Sequence, residues 1–152
     1  MRRWQAAALG ALLVMGLSGC ASPEIDQDAV QEWLQQQESV EVPGALGSMS
    51  GLASEATDAI DAHGIAITFE KPTAVTKIVF SCVGPEKMSV DVTMSAQESE
   101  TELARGLRTE DLVCADSPHT IEQVQHAATK VLIDGLSADG QGAWSAVVVG
   151  ED

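Results

Sequence analysis

The serines and cysteines that could act as nucleophiles do not occur in a catalytic pattern. A nucleophile elbow needs Gly-x-Ser-x-Gly at a turn from strand to helix. The nearest stretch, Gly47-Ser48-Met49-Ser50-Gly51, has Met49 in the central position. A papain-like dyad needs a free cysteine beside a histidine, and the two core cysteines, Cys82 and Cys114, are better explained as a disulfide. The sequence therefore predicts no catalytic residues and no enzyme activity.

The three histidines do not form a metal-binding pattern. His119 and His126 are seven residues apart, so a regular strand would point them to opposite faces. Neither His-Glu-x-x-His nor Cys-x-x-Cys occurs in the chain. We therefore predict no transition-metal site and expect the histidines, including His63, at the surface or at strand edges.

The residues with the best chance of contacting a ligand are Trp144, Asp134 and Asp139. The turn 134–140 offers oxygens of the kind that Ca²⁺ takes from flexible acidic loops, but it lacks the spacing and the final Glu of an EF-hand loop. Trp144 heads an apolar strand, which favours a place in the core, whereas a glycan-binding platform would need it exposed. Acidic turns this short are usually hairpin connections, so ligand binding is the second hypothesis here.

Cys20 stands in a different setting, at the end of an N-terminal leader. Arg2 and Arg3 precede an apolar run of about 12 residues, whereas a helix needs roughly 20 to cross a bilayer. These proportions indicate a signal peptide over residues 1–19. The tetrad Leu17-Ser18-Gly19-Cys20 resembles the lipobox of bacterial lipoproteins. That resemblance implies cleavage before Cys20 and a diacylglycerol thioether on its sulfur; this covalent lipid is the only added group we expect.

The composition of the processed chain limits its partners. Removing residues 1–19 from the 152 leaves 133, enough for one domain of ordinary size. Without Arg2 and Arg3, the remaining six basic and 23 acidic residues give a net charge of −17. Such a charge repels nucleic acid and favours solubility. Nucleic acid is therefore excluded as a partner.

With Cys20 lipidated, Cys82 and Cys114 form an even pair in an exported chain. An oxidising compartment favours one disulfide between them. The pair closes a loop of 32 residues, worth roughly 3–4 kcal/mol in the chain-entropy model. Two free thiols or a metal pair are the alternatives, and no histidine spacing supports the latter.

The elements begin with a tether and a short helix. Residues 20–28 are polar and form the lipidated tether, in which Asp26 or Asp28 can cap a helix. Apolar residues then recur at helical spacing over 29–38, and Trp33 is expected to dock that helix on the domain. Residues 47–63 fit either a helical stripe or an edge strand; we favour a strand over 46–56, followed by a loop.

From residue 65 onward the hydrophobic period is two, as in strands. The expected strands begin with 65–70, then 78–82 after a turn at Lys71-Pro72-Thr73, then the alternating strand 88–95 after Gly84-Pro85-Glu86. A polar loop over 97–102 precedes a weaker strand with buried points at Leu103, Leu107, Leu112 and Cys114. Separate short strands around 121–124 and 131–133, a turn over 134–142 and a doubly covered strand 144–149 complete the chain.

Seven or eight short strands with regular turn signals predict a mainly β fold over 46–150: an antiparallel, jelly-roll-like β-sandwich with one short N-terminal helix. The strand layout, Phe-Ser-Cys at 80–82, Val-Cys-Ala-Asp at 113–116 and Ala-Trp at 143–144 resemble the jelly-roll or galactose-binding-like sandwiches of small envelope lipoproteins. That resemblance implies a fold and no residue roles.

These features together predict an extracytoplasmic lipoprotein anchored to the bacterial cell membrane by its N-terminal lipid. Its domain is expected to be a non-catalytic interaction or structural module of the cell envelope, with an unknown envelope protein as partner. The alternative is a module that binds an envelope glycan or Ca²⁺.

Overall fold

The fold was obtained as a computed structural model, which describes residues 25–56, 64–98, 101–138 and 140–151. Within these ranges the chain forms one α-helix, one short 3-10 helix (Cys114–Asp116) and seven strands. They are α1 (Gln27–Glu38), β1 (Ala45–Leu52), β2 (Ser54–Glu55), β3 (Ile65–Val83), β4 (Lys87–Glu98), β5 (Thr101–Val113), β6 (His119–Ser137) and β7 (Ala143–Gly150). The predicted signal peptide, Cys20, His63 and Asp139 lie outside the described residues.

Helix α1 begins where the sequence offers a cap and packs through one apolar side chain. The Asp26 Oδ1 atom accepts from the backbone N–H groups of Asp28 (3.0 Å) and Ala29 (3.3 Å), which satisfies two of the donors that a helix start leaves open. Val30 is 3% exposed, and α1 lies against β7 and β1. A helix of about three turns needs such a surface to be stable.

The strands form one hydrogen-bonded sheet in the order β1-β7-β3-β6-β4-β5, with β2 pairing in parallel to the end of β6. The two 19-residue strands, β3 and β6, carry several register shifts where they pair with each other. Each therefore contributes one half to a first layer with β7 and β1, and the other half to a second layer with β4 and β5. The arrangement is sandwich-like although the sheet is continuous.

The core lies between these two layers and includes apolar residues of both. Phe80 and Trp144 come from the first layer, with ring centroids 6.3 Å apart. Trp144 lies directly over Gly135 of β6, where a Cβ atom would collide with the indole ring. The second layer contributes Met88, Val90, Val92 and Met94, none more than 1% exposed.

The predicted fold class, mainly β and antiparallel with one short N-terminal helix, is confirmed. The four inward positions predicted for β4, Met88, Val90, Val92 and Met94, are confirmed, but two of its expected outward positions, Asp91 and Ser95, are buried as well. β7 is buried along its whole length, as expected for a strand covered on both sides. The preference for a strand over a helix at residues 46–56 is also confirmed by β1 and β2.

Two predicted breaks in the chain are wrong. Lys71-Pro72-Thr73 is not a turn: β3 runs through it, and only its pairing to β6 lapses between Thr68 and Thr73. Proline has no N–H for the ladder, so it interrupts the pairing and not the strand. The predicted strands around 121–124 and 131–133 are likewise one strand, β6, with similar shifts along it.

Three predictions of burial or turn position also need correction. Leu103 and Leu107 are 50% and 39% exposed, because β5 pairs only with β4 and forms an edge of the sheet. The predicted polar loop 97–102 is shorter than expected, since β4 reaches Glu98 and β5 starts at Thr101. Asp134 belongs to β6 and not to the following turn, because β6 continues to Ser137.

Candidate functional site

Trp144 is a core residue in this fold. Its side chain is 1% exposed, stacks on Phe80 and donates from Nε1 to the carbonyl oxygen of Leu52 at 3.2 Å. A buried indole with its N–H satisfied is what a stable core requires. The ring presents no face to solvent for a sugar or another ligand.

Asp134 is also buried, at 6% exposure, and lies across from Asp91 of β4 in the register of the sheet. Its Oδ1 atom accepts a hydrogen bond from the Ser54 hydroxyl at 3.0 Å. Ser54 belongs to β2, so this contact holds β2 against the end of β6. Trp144 packs on Gly135, the residue after Asp134, and successive residues of a strand point to opposite faces, so the two side chains lie on different sides of β6. Asp139 lies outside the described residues.

Asp91 is the second buried carboxylate and forms a two-pronged ion pair with Arg108 of β5. Arg108 donates from Nε to Asp91 Oδ1 and from Nη2 to Oδ2, both at 2.6 Å. Asp91 is 5% exposed, so the carboxylate is removed from water and the arginine compensates its charge. Arg108, Asp91, Asp134 and Ser54 form a polar row across four strands, which we call the buried polar row.

Sequence reasoning missed Asp91 and Arg108. Asp91 occupies the polar side of an alternating strand, which predicts exposure to water. The available signal was the pairing of β4 with β5, because a hairpin closing near residue 100 brings 91 and 108 opposite each other. Within the row Arg108 faces Asp91 and Ser54 faces Asp134, so these polar atoms are bonded to other parts of the same domain.

Cys82 and Cys114 form the predicted disulfide, with an S–S distance of 2.06 Å. Cys82 is 3% exposed and belongs to β3, and Cys114 begins the short 3-10 helix after β5. The backbone N–H of Cys82 donates to the Ser117 hydroxyl oxygen at 3.1 Å. The bridge thereby ties the chain segment that leaves β5 to the first layer of the sandwich.

A groove lies along the C-terminal half of α1, on the side of the first layer that faces away from the core. One part, about 290 Å³, lies between Trp33 and Gln37 of α1 and the strand residues Ser81 and Ser145. A second part, about 600 Å³, is lined by residues 40–43 and 45–48. Val40, Val42 and Val147 line both parts, so the two parts adjoin each other. We refer to this surface as the α1 groove.

The α1 groove combines polar groups with exposed hydrophobic side chains. Val40 is 52% exposed and Leu46 is 37% exposed, and both line it. Trp33 is partly buried in its wall, in agreement with the predicted docking of the helix. Concave apolar surfaces with a few polar groups are where proteins bind ligands or other proteins.

Metal ligands are not clustered in the part of the chain that the structure describes: no group of three His, Cys, Asp or Glu side chains there could hold an ion. His119 contacts the Val113 carbonyl oxygen through Nε2 at 2.8 Å, and His126 is exposed. Among the described residues, too, no helix has the length and apolar character needed to cross a bilayer.

In comparisons with known proteins, no family model, curated protein or solved structure matches the chain. The resemblance to envelope lipoproteins therefore stays a prediction that rests on the residues quoted above.

Proposed function

We propose that this protein is an extracytoplasmic lipoprotein, anchored to the bacterial cell membrane through Cys20, whose β domain is a non-catalytic interaction or structural module of the envelope. The observation that carries the proposal is the tetrad Leu17-Ser18-Gly19-Cys20 behind a basic n-region and a short apolar run. The disulfide between Cys82 and Cys114 supports it, because such bonds persist in oxidising compartments.

The position of the first described residue supports a domain held close to the membrane. The backbone N–H of Ile25 donates to Gln141 Oε1 at 3.4 Å, and its side chain lies beside Gly84. From Cys20 to Ile25 the chain advances five residues, which span at most about 17 Å when fully extended. An anchored Cys20 would therefore keep this end of the domain near the lipid headgroups.

The α1 groove lies at the opposite end of the helix from the tether. Helix α1 has 12 residues and is thus about 18 Å long. Val40 and Leu46 in the groove follow the C-terminal end of α1, whereas the tether joins its N-terminal end. This placement favours the groove as the contact surface of an interaction module.

Cell fractionation of the full-length chain in a bacterial host tests the anchor. We expect the wild-type chain in the membrane fraction, released by detergent and not by high salt, because two acyl chains hold a protein stably. Cys20→Ala should shift it to the soluble extracytoplasmic fraction or leave its leader uncleaved. Ser22→Ala, two residues away and outside the tetrad, is the matched control and should remain anchored. A soluble wild-type chain with an unmodified Cys20 would contradict the proposal.

A second candidate function is the binding of an envelope glycan, and Trp33 favours it. Trp33 lines the smaller part of the α1 groove together with the polar side chains of Gln37, Ser81 and Ser145. An aromatic face beside hydrogen-bonding groups suits a sugar ring. The Ca²⁺ form of the alternative has no such support among the described residues.

Thermal unfolding in the presence of soluble peptidoglycan fragments tests the glycan hypothesis. Specific binding must raise the melting temperature by mass action, by the equivalent of about 2.7 kcal/mol at a hundredfold excess over Kd. Trp33→Ala should remove that rise, while Val124→Ala, at an exposed position of β6 that lines neither part of the groove, should keep it. No rise with the wild-type chain, with Ca²⁺ tested in parallel, would count against both ligand classes.

A further inference from the structure

Strand β1 ends the sheet on one side. It pairs with β7 only, and no other strand of the described chain pairs with its second edge. The Ala53 N–H donates to the Gly142 carbonyl oxygen at 2.9 Å, in the same register that relates β1 to β7. Backbone groups alternate between the two edges of a strand. The backbone N–H and C=O groups of Ser48 and Ser50 therefore point away from β7.

The two outer strands differ in charge. Edge strands are commonly protected against pairing with another chain by charged side chains. The described side chains of β5 include four charged ones: Arg105, Arg108, Glu110 and Asp111. β1 has no charged side chain. In a chain with a net charge of −15, β1 is thus an edge that another copy can approach without local charge repulsion.

The sequence of β1 is a palindrome. Residues 46–52 read Leu-Gly-Ser-Met-Ser-Gly-Leu in both directions, with Met49 at the centre. Two copies paired antiparallel about a two-fold axis through Met49 would place identical residue types opposite each other: Ser48 against Ser50, Gly47 against Gly51 and Leu46 against Leu52 of the second copy. A symmetric dimer interface needs one self-complementary patch of this kind on each chain.

The faces of β1 agree with that register. Residues that stand directly opposite in an antiparallel pair point to the same face of the sheet. Met49 is 6% exposed and points into the core, whereas Ser48 is exposed and lines the α1 groove. Pairing Ser48 with Ser50 keeps the outer face of one copy continuous with the outer face of the other.

The ends of the strand supply the apolar contacts. Leu52 is 59% exposed and Leu46 is 37% exposed, and Leu46 has no register partner on β7 because of a bulge at Ala45/Gly47. In the palindromic register Leu46 of each copy stands opposite Leu52 of the other. The Leu46 side chain packs beside Gly150 of its own β7, so the more exposed Leu52 is the apolar side chain that the second copy would cover.

We propose that the protein forms a two-fold symmetric homodimer in which the β1 strands of two copies pair antiparallel about Met49 and join their sheets. The axis runs perpendicular to the sheet, so both α1 helices lie on the same side. An interface of one strand per copy is smaller than the roughly 1,600 Å² of a standard stable complex. The dimer is therefore weak in dilute solution, and confinement of two copies to one membrane would raise their effective concentration.

Sedimentation equilibrium of the full-length chain in a density-matched detergent tests the dimer. We expect a reversible monomer–dimer equilibrium over protein concentrations up to about 1 mM, the weak end of specific affinities. Ser48→Lys/Ser50→Lys should raise the dimer Kd by about tenfold or more, because lysines then face lysines across the axis. Ser48→Lys/Ser50→Glu changes the same two positions but places each introduced lysine opposite the introduced glutamate of the other copy, so it should keep the dimer.

Mixing two oppositely charged variants tests the proposed strand register a second time. The Ser48→Glu/Ser50→Glu chain should be monomeric alone and should form a heterodimer when combined with the Ser48→Lys/Ser50→Lys chain. A wild-type chain that remains monomeric at about 1 mM would overturn the proposal. Equal dimerisation of the Lys/Lys and Lys/Glu variants would also overturn it, because the copies would then associate in another register or through another surface.

Discussion

Asp91 and Arg108 show how much one polar contact determines within this fold. A buried ion pair is not in itself strongly stabilising, because both ions lose their hydration. Removing only the arginine is costly, because the Asp91 carboxylate then remains without a compensating charge in a site from which water is excluded. Here that cost is increased by Asp134, a second carboxylate directly across the strand pair.

Replacement of Arg108 should therefore destabilise the protein strongly. We expect Arg108→Met to lower the free energy of unfolding by about 3–5 kcal/mol, measured by urea denaturation. The double variant Asp91→Asn/Arg108→Met removes both charges and should lose less than the single variant. A loss from the double variant that equals or exceeds the single one would mean that the ion pair does not compensate Asp91.

Lys87 provides the matched control on the same pair of strands. Lys87 Nζ lies 3.1 Å from Asp111 Oδ1, but the two side chains are 50% and 76% exposed. Exposed ion pairs contribute about 0–1 kcal/mol. Lys87→Met should accordingly have little effect on unfolding, and a large effect would show that the contrast between buried and exposed pairs fails here.

At the scale of elements, the disulfide joins a central strand to the segment between β5 and β6. Cys82 lies in a central strand, while Cys114 follows the edge strand β5, which pairs only with β4. The bridge thus connects the periphery of the second layer to the first layer. Its contribution arises from the restricted unfolded chain as well as from this connection.

Loss of either cysteine should have nearly the same effect as loss of both. Cys82→Ala should destabilise by roughly 3–4 kcal/mol, as the 32-residue loop implies. Addition of Cys114→Ala should cost little more, because the bond is already absent and the second effect is not additive. Urea unfolding of the wild-type, single and double variants measures this; additive losses would show that the two cysteines are not paired in the folded protein.

The elements that local periodicity predicts best are the straight, regularly buried ones. β4 carries apolar residues at alternate positions from Met88 to Met94 because one of its faces is the core. β7 is buried throughout because α1 lies against its second face. The bends in β3 and β6 could not be predicted in this way. A proline at residue 72 signals a break in hydrogen bonding, and only the tertiary pairing decides whether the chain turns back or continues.

The residues of the predicted site also differ in whether the local sequence or long-range packing determines their burial. Trp144 was expected in the core from its apolar strand, and it lies there. The burial of Asp134 depends on β2 returning to cover β6 through Ser54, a long-range contact with no trace in local sequence. The α1 groove also arises from long-range packing, since residues of α1, β1 and β7 meet there.

At the scale of the whole molecule, the proposed function combines a short tether, a disulfide-linked β domain and the α1 groove. In this proposal the tether would hold the N-terminal end of α1 near the membrane, and the α1 groove extends from Trp33 to beyond the C-terminal end of the helix. A strongly acidic surface keeps the domain away from anionic headgroups and nucleic acid. We propose that the domain is thereby presented to protein or glycan partners in the envelope.

The central claim is tested most directly by the intact mass of the mature protein. The full-length sequence is expressed in a bacterial host, and the processed product is extracted with detergent and weighed. The proposal predicts a chain that begins at Cys20 and carries the added mass of a diacylglycerol thioether, with fragments placing that mass on the first residue. A mature chain that starts at any other residue, or that starts at Cys20 with no added lipid, would contradict it.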